Sequence, residues 1–277
     1  MAHNDSDVEE AITKEEIHGD ELRPAKKPRN AFTELMTSKP KHKEAAAATS
    51  KSNGTYFPGR MGLGTYLGKP ESFPGSRVIY HTPDFVVIHD MFPKATVHTL
   101  LLPRSSSHNL LHPFDAFEDA EFLAKVRSEA AKLKVLAAKE LQRRLGPYSK
   151  IEAAREAILN GDVEAEGDLP PGRDWSKEIM CGIHAVPSMS HLHVHVLSRD
   201  MHSDCVTHRK HYNSFQTPFL VNLDDFPLAK DDPRRDTKRA GYLQRDFTCW
   251  RCEKKFGNQL KKLKDHLEEE FDGWKRE

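Results

Sequence analysis

The sequence predicts an α+β domain with a mainly antiparallel, five-stranded sheet and helices, followed by a small cysteine-containing module. Three observations support this prediction. Five short runs rich in β-branched and aromatic residues are bounded by turn residues, as strands are. One long stretch, 117–145, has helical periodicity. Two of the four cysteines form a C-x-x-C pair near the end of the chain. Strands grouped around one long helix are typical of the α+β class.

The five predicted strands fall into two groups. RVIYHTPDFVVIHD, 77–90, predicts a hairpin around a Thr-Pro-Asp turn, and ATVHTLLLP, 95–103, predicts a third strand. KEIMCGIHAV, 177–186, and HLHVHVLS, 191–198, predict the last two. The glycine-rich segment 59–73 precedes all of them. We reject a Walker phosphate loop there because no lysine–serine pair follows and no strand precedes it.

The helical stretch and its surroundings divide the chain. Residues 146–174 form an apparent insertion of a short helix and a Gly/Pro-rich loop. We expect a charged, disordered tail (1–55), a main domain (56–225) that contains the insertion, and a C-terminal part (226–277) made of a basic linker and the cysteine module. The predicted apolar stripe of the long helix, which faces the sheet, consists of Phe122, Leu123, Val126, Ala130, Leu133 and Leu136.

Composition excludes several classes of protein. The 277 residues carry a formal net charge of zero, so nucleic-acid binding would need local basic patches. No stretch approaches the ~20 apolar residues of a membrane span, and the polar N-terminus is not a signal peptide. Within the tail, PAKKPR at 24–29 fits either a nuclear import signal or a solvated basic patch. AFTELM at 31–36 is an isolated amphipathic turn.

Three histidines alternate in the last predicted strand. On a strand, His191, His193 and His195 would share one face, while the apolar residues between them would pack against the long helix. Three interpretations of this face remain open from the residues alone. It is a solvated polar face, a zinc site that recruits further ligands, or a nucleophilic centre in which a neutral imidazole attacks phosphorus. Three successive histidines make the first the least favoured.

The C-terminal module has the spacing of a metal site. Cys249 and Cys252 form a knuckle, and His266 follows 13 residues later, near the spacing of a two-Cys two-His finger. No second histidine follows, but Glu270 lies one helical turn on, and carboxylate is an accepted zinc ligand. A redox C-x-x-C is the alternative, although it would need a thioredoxin-like context. Basic residues that we expect to contact DNA phosphates surround the site: Lys254, Lys255, Lys261, Lys262 and Lys264.

H-L-H-V-H-V-L, 191–197, resembles the signature of the histidine triad (HIT) superfamily of nucleotidyl hydrolases and transferases. Residues 86–104 resemble the upstream nucleotide-binding strands of that family. The resemblance implies that His193 attacks the α-phosphate of a nucleotide, flanked by His191 and His195, and that water hydrolyses the resulting nucleotidyl-histidine. It also implies a nucleotide- and phosphate-binding set: Asp90 at the ribose, His98 as a further active-site histidine, Ser188 at the phosphate, Met189, and Lys94 as a neutralising cation.

The combination with the finger resembles a narrower family, the aprataxin-like DNA 5′-adenylate hydrolases of fungal type. The resemblance covers roughly 59–277 apart from the insertion, and is most specific in HAVPSMSHLHVHVLSRD (184–200), KHYNSF (210–215) and the finger. It adds Lys210 and His184 to the site, with His184 as the acid for the leaving group. One departure is that no forkhead-associated, phosphopeptide-binding domain precedes the catalytic part. Recruitment through phosphorylated scaffolds is therefore not expected.

The resemblance implies an enzyme that removes AMP from 5′-adenylated DNA. Expected partners are nicked or 5′-adenylated double-stranded DNA and RNA–DNA junctions, with AMP as product, no membrane and a monomeric chain. Zinc is expected to be structural, with no cofactor at the catalytic centre, and the expected location is the nucleus, with the cytoplasm as a second compartment. Two other hypotheses are a HIT hydrolase of small nucleotides, such as dinucleoside polyphosphates or phosphoramidates, and a non-catalytic nucleic-acid-binding module.

Overall fold

The computed structural model describes residues 59–164 and 167–277; the tail, PAKKPR and AFTELM lie outside the described residues. One six-stranded sheet has the order β1-β2-β3-β5-β4-β6, and every neighbouring pair is antiparallel. The predicted α+β class is confirmed, with one strand more than expected. The strands are β1 (Val78–His81), β2 (Phe85–His89), β3 (His98–Pro103), β4 (Ile179–His184), β5 (Val194–Ser198) and β6 (Leu220–Asn222).

The predicted hairpin is confirmed, and its turn has a clear cause. Thr82 Oγ1 accepts hydrogen bonds from the amide N–H groups of Asp84 and Phe85, at 3.3 and 3.0 Å. A side-chain hydroxyl that closes its own turn in this way fixes where the chain reverses. Strand β2 then pairs with β3 along its whole length, from Phe85 opposite Pro103 to His89 opposite Thr99.

Seven α-helices are found among the described residues. Their bounds are α1 (Gly64–Gly68), α2 (Pro113–Ala116), α3 (Ala120–Leu145), α4 (Lys150–Leu159), α5 (Arg209–Gln216), α6 (Thr237–Ala240) and α7 (Leu260–Trp274). No helix among these residues is both long and apolar enough to cross a membrane.

Asp119 caps the N-terminus of the long helix α3. The carboxylate of Asp119 accepts hydrogen bonds from the N–H groups of Glu121 and Phe122, both at 3.0 Å, which satisfies two donors that lack intrahelical partners. The predicted stripe is correct up to Leu133. Leu136 was wrongly assigned to the stripe: its side chain is 45% exposed, and Ala137 is buried instead. With 3.6 residues per turn, steps of three and four residues alternate along a buried stripe, so the step of three from Ala130 to Leu133 is followed by a step of four.

The histidine-bearing segment differs from the prediction in one respect. Strand β5 begins at Val194, so His191 and His193 belong to the loop before the strand and only His195 lies within it. The apolar residues between the histidines nevertheless pack with α3 as expected, since Leu192 and Val194 are buried in the same cluster. The sixth strand was missed because three residues are too few to show a periodicity.

The C-terminal module packs on the main domain and shares its core. It consists of a two-stranded ribbon, β7 (Phe247–Thr248) and β8 (Lys255–Gly257), followed by α7. Trp274, at the end of α7, is 1% exposed and belongs to the cluster that α3 builds on the sheet. A second cluster joins Leu197, Met201, Tyr212 and Phe215 of the main domain to Phe247, Leu263 and Leu267 of the module.

Candidate active site

One cleft collects most of the predicted site residues. Its enclosed part measures about 130 Å³ and opens to solvent. The cleft lies on the face of the sheet opposite α3. The predicted residues that line it are Asp90, Lys94, His98, His184, Ser188, Met189, His193 and His195.

Strand pairing places two of the histidines. His195 in β5 lies opposite Leu100 of β3 and Gly182 of β4, and the ring centroid of His184 is 4.4 Å from that of His195. Gly182 is needed here because a Cβ atom would lie 2.5 Å from the carbonyl oxygen of Val221 on the next strand. Close packing of β6 against β4 therefore depends on this glycine.

The backbone fixes the tautomer of His193. Its Nδ1 lies 2.7 Å from the carbonyl oxygen of His191, and a carbonyl can only accept, so Nδ1 carries the proton. The other ring nitrogen, Nε2, consequently holds a free lone pair. A neutral imidazole whose tautomer is set in this way is ready to act as a nucleophile.

A second hydrogen-bond chain runs through His98. The backbone N–H of Lys94 donates to His98 Nδ1 at 3.0 Å, so the His98 proton is on Nε2. That N–H faces both His195 Nδ1, at 3.0 Å, and Asp90 Oδ2, at 3.4 Å. His195 Nδ1 therefore accepts, and the remaining His195 proton sits on Nε2.

Two buried ring nitrogens of the cleft histidines lack a hydrogen-bond partner among the described residues. They are Nε2 of His195 and Nε2 of His184, and both side chains line the cleft. A buried polar atom without a hydrogen bond costs free energy, about 1–3 kcal/mol, which a bound acceptor would offset. A phosphate oxygen in the cleft would be such an acceptor for His195.

Burial keeps the cleft histidines neutral. Loss of hydration lowers the pKa of His98 to about 4 and that of His193 below its ordinary value. It also lowers the pKa values of His184 and His195 well below the ordinary value. Lys94 is 7% exposed and donates from Nζ to the carbonyl oxygen of Phe92 at 2.8 Å. The cleft thus combines neutral imidazoles with one buried amine, a suitable setting for an anionic phosphate.

Three residues of the hydrogen-bond chain through His98 also lie close enough together to be candidate metal ligands. Ligand atoms of Asp90, His98 and His195 lie within 4.8 Å of one another. The ring nitrogens of the two histidines hydrogen-bond to each other at 3.0 Å, so an ion would have to replace that bond.

Two predicted residues lie beside the cleft. The ring of His191 packs against helix α1, where a Cβ atom on Gly64 would lie 2.5 Å from His191 Cε1. His191 therefore serves His193 through its carbonyl oxygen, while its own ring is not among the cleft-lining groups, contrary to the single histidine face that we expected. Lys210 is half-buried in the first turn of α5 and likewise does not line the cleft.

The sequence analysis missed several residues of the cleft wall. Tyr66 and Leu63 line it from the glycine-rich segment that we had considered only as a phosphate loop. Phe215 lies behind the histidines, with its ring centroid 5.3, 4.7 and 5.1 Å from those of His98, His184 and His195. The segment KHYNSF contributes to the family resemblance, but only the packing shows that Phe215 lies against the histidines.

The four predicted metal ligands converge. Ligand atoms of Cys249, Cys252, His266 and Glu270 all lie within 4.8 Å of one another. Cys252 Sγ is 3.1 Å from His266 Nε2, which is 3.2 Å from Glu270 Oε1. Arg251 Nη1 donates to the other oxygen of Glu270 at 2.5 Å and orients it. Sulfur, imidazole and carboxylate donors in this arrangement fit tetrahedral zinc.

The predicted DNA-contacting lysines lie on the surface of this module. Four are exposed, and Lys264 is half-buried. Lys254, Lys255 and Lys262 line a shallow groove together with Phe256, and Lys254 Nζ lies 5.5 Å from the centre of that ring. The same groove contains Asp265 and Glu269, so its positive charge is concentrated on the side of the β-ribbon and the first turn of α7.

Comparison with known proteins agrees with both parts. Residues 74–202 match the HIT domain, and 216–273 match the C2HE/C2H2/C2HC zinc-binding finger. An aprataxin-like protein of Schizosaccharomyces pombe is 33% identical over 78% of this chain and 82% of its own length. One of Saccharomyces cerevisiae is 32% identical over 76% of this chain and 95% of its own length.

Solved structures give the same result. A crystal structure of the aprataxin ortholog Hnt3 in complex with DNA is 30% identical, has a TM-score of 0.59, and is matched over 78% of this chain and 96% of that one. Hnt3 in complex with DNA and guanosine is 32% identical over the same shares, with a TM-score of 0.60. The chain therefore belongs to the aprataxin-like family, in which a HIT domain is followed by a C2HE-type zinc finger.

Proposed function

We propose that this protein is a DNA repair hydrolase that removes AMP from 5′-adenylated DNA, the product of abortive ligation. The observation that carries the proposal is the state of His193: a neutral, buried imidazole with Nδ1–H held by a backbone carbonyl and Nε2 free. The same chain carries a finger with exposed lysines, and related Hnt3 structures contain DNA.

In the first step, His193 Nε2 attacks the phosphorus of AMP. An N–P bond forms, and the P–O bond to the 5′-phosphate of the DNA breaks, which releases 5′-phosphorylated DNA. Lys94 and the N–H of His195 stabilise the charge that develops on the phosphoryl oxygens. Asp90 holds the ribose, and Ser188 and Met189 contact the nucleotide.

In the second step, water attacks the same phosphorus, the N–P bond breaks, and AMP leaves with His193 regenerated. His184 is the proposed acid for the 5′-phosphate that leaves in the first step, and the neutral imidazole that results takes the proton of the attacking water in the second. Burial keeps His184 neutral in the free protein, so it would gain a proton only in the complex, where a nearby phosphate dianion favours the imidazolium. Lys210 would approach the phosphate from α5 only after movement of its side chain.

The finger would hold the DNA. We assign a structural zinc to Cys249, Cys252, His266 and Glu270, and we assign the histidine centre no metal. The exposed lysines beside the ribbon would contact backbone phosphates, which hold a duplex without regard to sequence. Because finger and sheet share a hydrophobic cluster, one rigid surface could engage the duplex while AMP enters the cleft.

The test compares two substrates on the purified protein. We expect AMP release from 5′-adenylated nicked DNA, trapping of AMP on His193 in samples quenched with alkali, and slower cleavage of diadenosine polyphosphates. Cleavage of the small nucleotides alone would support the alternative HIT hydrolase, and unchanged activity of His193→Ala would support a non-catalytic module. Deletion of 245–277 is a poor control because it also removes buried side chains of the shared cluster.

Three narrower expectations belong to the same proposal. We propose that RNA–DNA junctions are also substrates, that the protein acts as a monomer, and that PAKKPR directs it to the nucleus. Adenylated RNA–DNA junctions in the same assay, light scattering, and a reporter fused to residues 1–58 with and without Lys26→Ala and Lys27→Ala test these expectations separately.

A further inference from the structure

Residues 146–164 and 167–178, between α3 and β4, enclose the end of the finger helix α7, and we name them the clasp. Ser149 Oγ donates to the carbonyl oxygen of Glu277 at 2.8 Å, and the N–H of Lys150 donates to the carbonyl oxygen of Arg276 at 3.1 Å. The first N–H groups of any helix lack intrahelical acceptors. Here the carbonyl groups that follow α7 satisfy those of α4, so the two helix ends are joined.

Arg173 makes the most extensive contact of the clasp with the finger. Its guanidinium lies 4.5 Å from the ring centre of Trp175 and 5.0 Å from that of Trp274. Nη1 donates to the carbonyl oxygen of Trp274 at 2.7 Å, and Nη2 donates to Glu178 Oε1 at 3.1 Å. Glu178 Oε2 in turn accepts from Trp274 Nε1 at 3.0 Å. With 6% of the Arg173 side chain exposed, this cation–π and hydrogen-bond contact is well desolvated, which strengthens it.

The other side of the clasp is fixed to the main domain. The buried carboxylate of Glu152 accepts from Trp175 Nε1 at 2.8 Å, from the N–H of Arg173 at 3.2 Å and from Gln142 Nε2 of α3 at 3.3 Å. A Cβ atom on Gly172 would lie 3.1 Å from this carboxylate, so the loop runs tightly over it. Through Glu152, α3 thus fixes the backbone of Arg173, and the side chain of Arg173 fixes Trp274.

We propose that Arg173 is a positioning residue for DNA substrates: through Trp274 it fixes the finger helix α7 at a set distance and angle from the histidine cleft. Trp274 lies about one helical turn beyond the zinc ligand Glu270, so the clasp and the metal hold the same end of α7. A duplex that touches the finger while its AMP reaches His193 requires that geometry, whereas a free nucleotide in the cleft does not. The inference rests on the proposed function of the cleft and finger.

The experiment uses the full chain with Arg173→Met, and with Arg155→Met as the matched control. Arg155 also lies in the clasp, and its Nη1 donates to the carbonyl oxygen of Pro170 at 2.6 Å, within the clasp itself. We expect KM for 5′-adenylated nicked DNA to rise about tenfold in Arg173→Met, because misplacement of a bound group by about 1 Å is enough for large losses. For adenosine 5′-phosphoramidate, kcat/KM should stay within about twofold. The control should match the wild type on both substrates.

Two further measurements keep the proposal falsifiable. Arg173→Lys keeps the charge but loses the fork that reaches both Trp274 and Glu178, so it should show a smaller rise in KM in the same direction. Hydrogen exchange should become faster in 260–274 and stay unchanged in 120–145. An equal loss on both substrates, an unchanged KM for DNA, or unchanged exchange in α7 would overturn the proposal. If the wild type does not cleave adenylated DNA, the proposed function fails, and the exchange data together with the affinity for unadenylated nicked DNA decide the role of Arg173.

Discussion

The histidine cleft and the zinc finger both gather histidine near acidic residues, yet they are held in different ways. In the cleft, His98, His193 and His195 are at most 5% exposed and are oriented by the backbone or by each other. In the finger, Cys252 is exposed, and the ligand atoms approach one another from a ribbon and a helix at the surface. Hydrogen bonds to the backbone and between rings therefore orient the cleft histidines, whereas we expect the finger to depend on zinc for its local order.

The largest expected effect separates catalysis from binding. His193→Ala should lower the rate of AMP release by at least about 10⁴-fold, because the only free nucleophilic nitrogen of the proposed mechanism is lost. Its affinity for nicked DNA should be unchanged, since the finger is untouched. The rate is measured with adenylated nicked DNA and the affinity by fluorescence anisotropy. His81→Ala, an exposed histidine on β1, is the control, and a mutant rate within about tenfold of wild type would refute the assignment.

The second prediction tests the dependence of the finger on metal. Cys252→Ala should lose the bound zinc and about 3 kcal/mol of stability, equivalent to a fall in Tm of roughly 10 °C for a chain of this size. Zinc content and thermal unfolding are measured together. Cys205→Ala lies outside the ligand set and should keep its zinc. A variant that retained both zinc and wild-type Tm would show that these four residues are not the metal site.

The third prediction concerns the charge of the finger. Lys262→Glu should weaken binding of nicked DNA about tenfold and reduce the dependence on salt by about one phosphate contact. Hydrolysis of a small nucleotide should not change, because Lys262 lies in the groove on the finger. Titrations at several salt concentrations provide the measurement. The control is Lys139→Glu, which makes the same change of charge at an exposed position on α3. If this control weakened DNA binding equally, the effect would come from net charge and not from the finger.

The smallest effect is the response of stability to pH. Burial lowers the pKa of His98 to about 4. Near pH 6.5 the imidazole of His98 therefore binds a proton in the unfolded chain but stays neutral in the folded chain. The free energy of unfolding should therefore fall as pH falls below about 7, by about 0.7 kcal/mol for His98 alone between pH 7 and 6. Urea unfolding at both pH values measures it. The slope should be shallower in His98→Asn, and a stability that rose on acidification would contradict the sign.

Much of the site could be predicted from sequence because its chemistry depends on unusual residues at fixed spacing. Alternation of His191, His193 and His195 brings His193, the proposed nucleophile, and His195 to the same side even though the strand starts only at Val194. The two cysteines of the finger are close along the chain, and His266 and Glu270 are one helical turn apart. Local geometry is enough to bring such residues together.

Other features depended on contacts between distant segments. The sequence did not indicate that the ring of His191 turns to Gly64 while its carbonyl oxygen orients His193. It did not indicate that Phe215 would back three histidines, nor that the insertion would enclose the end of α7. These contacts join residues far apart in the chain, and no periodicity records them.

The sequence by itself was enough to predict the class of fold and the ligand set of the finger, because their patterns lie within short segments of the chain. The prediction of His193 as the nucleophile came from the resemblance of 191–197 to the HIT signature. Tertiary structure alone decided the protonation of the histidines, since their pKa values and tautomers come from burial and from carbonyl and N–H groups of neighbouring segments. It alone decided that finger and sheet share one core. Burial and long-range packing arise only when segments distant in the chain meet.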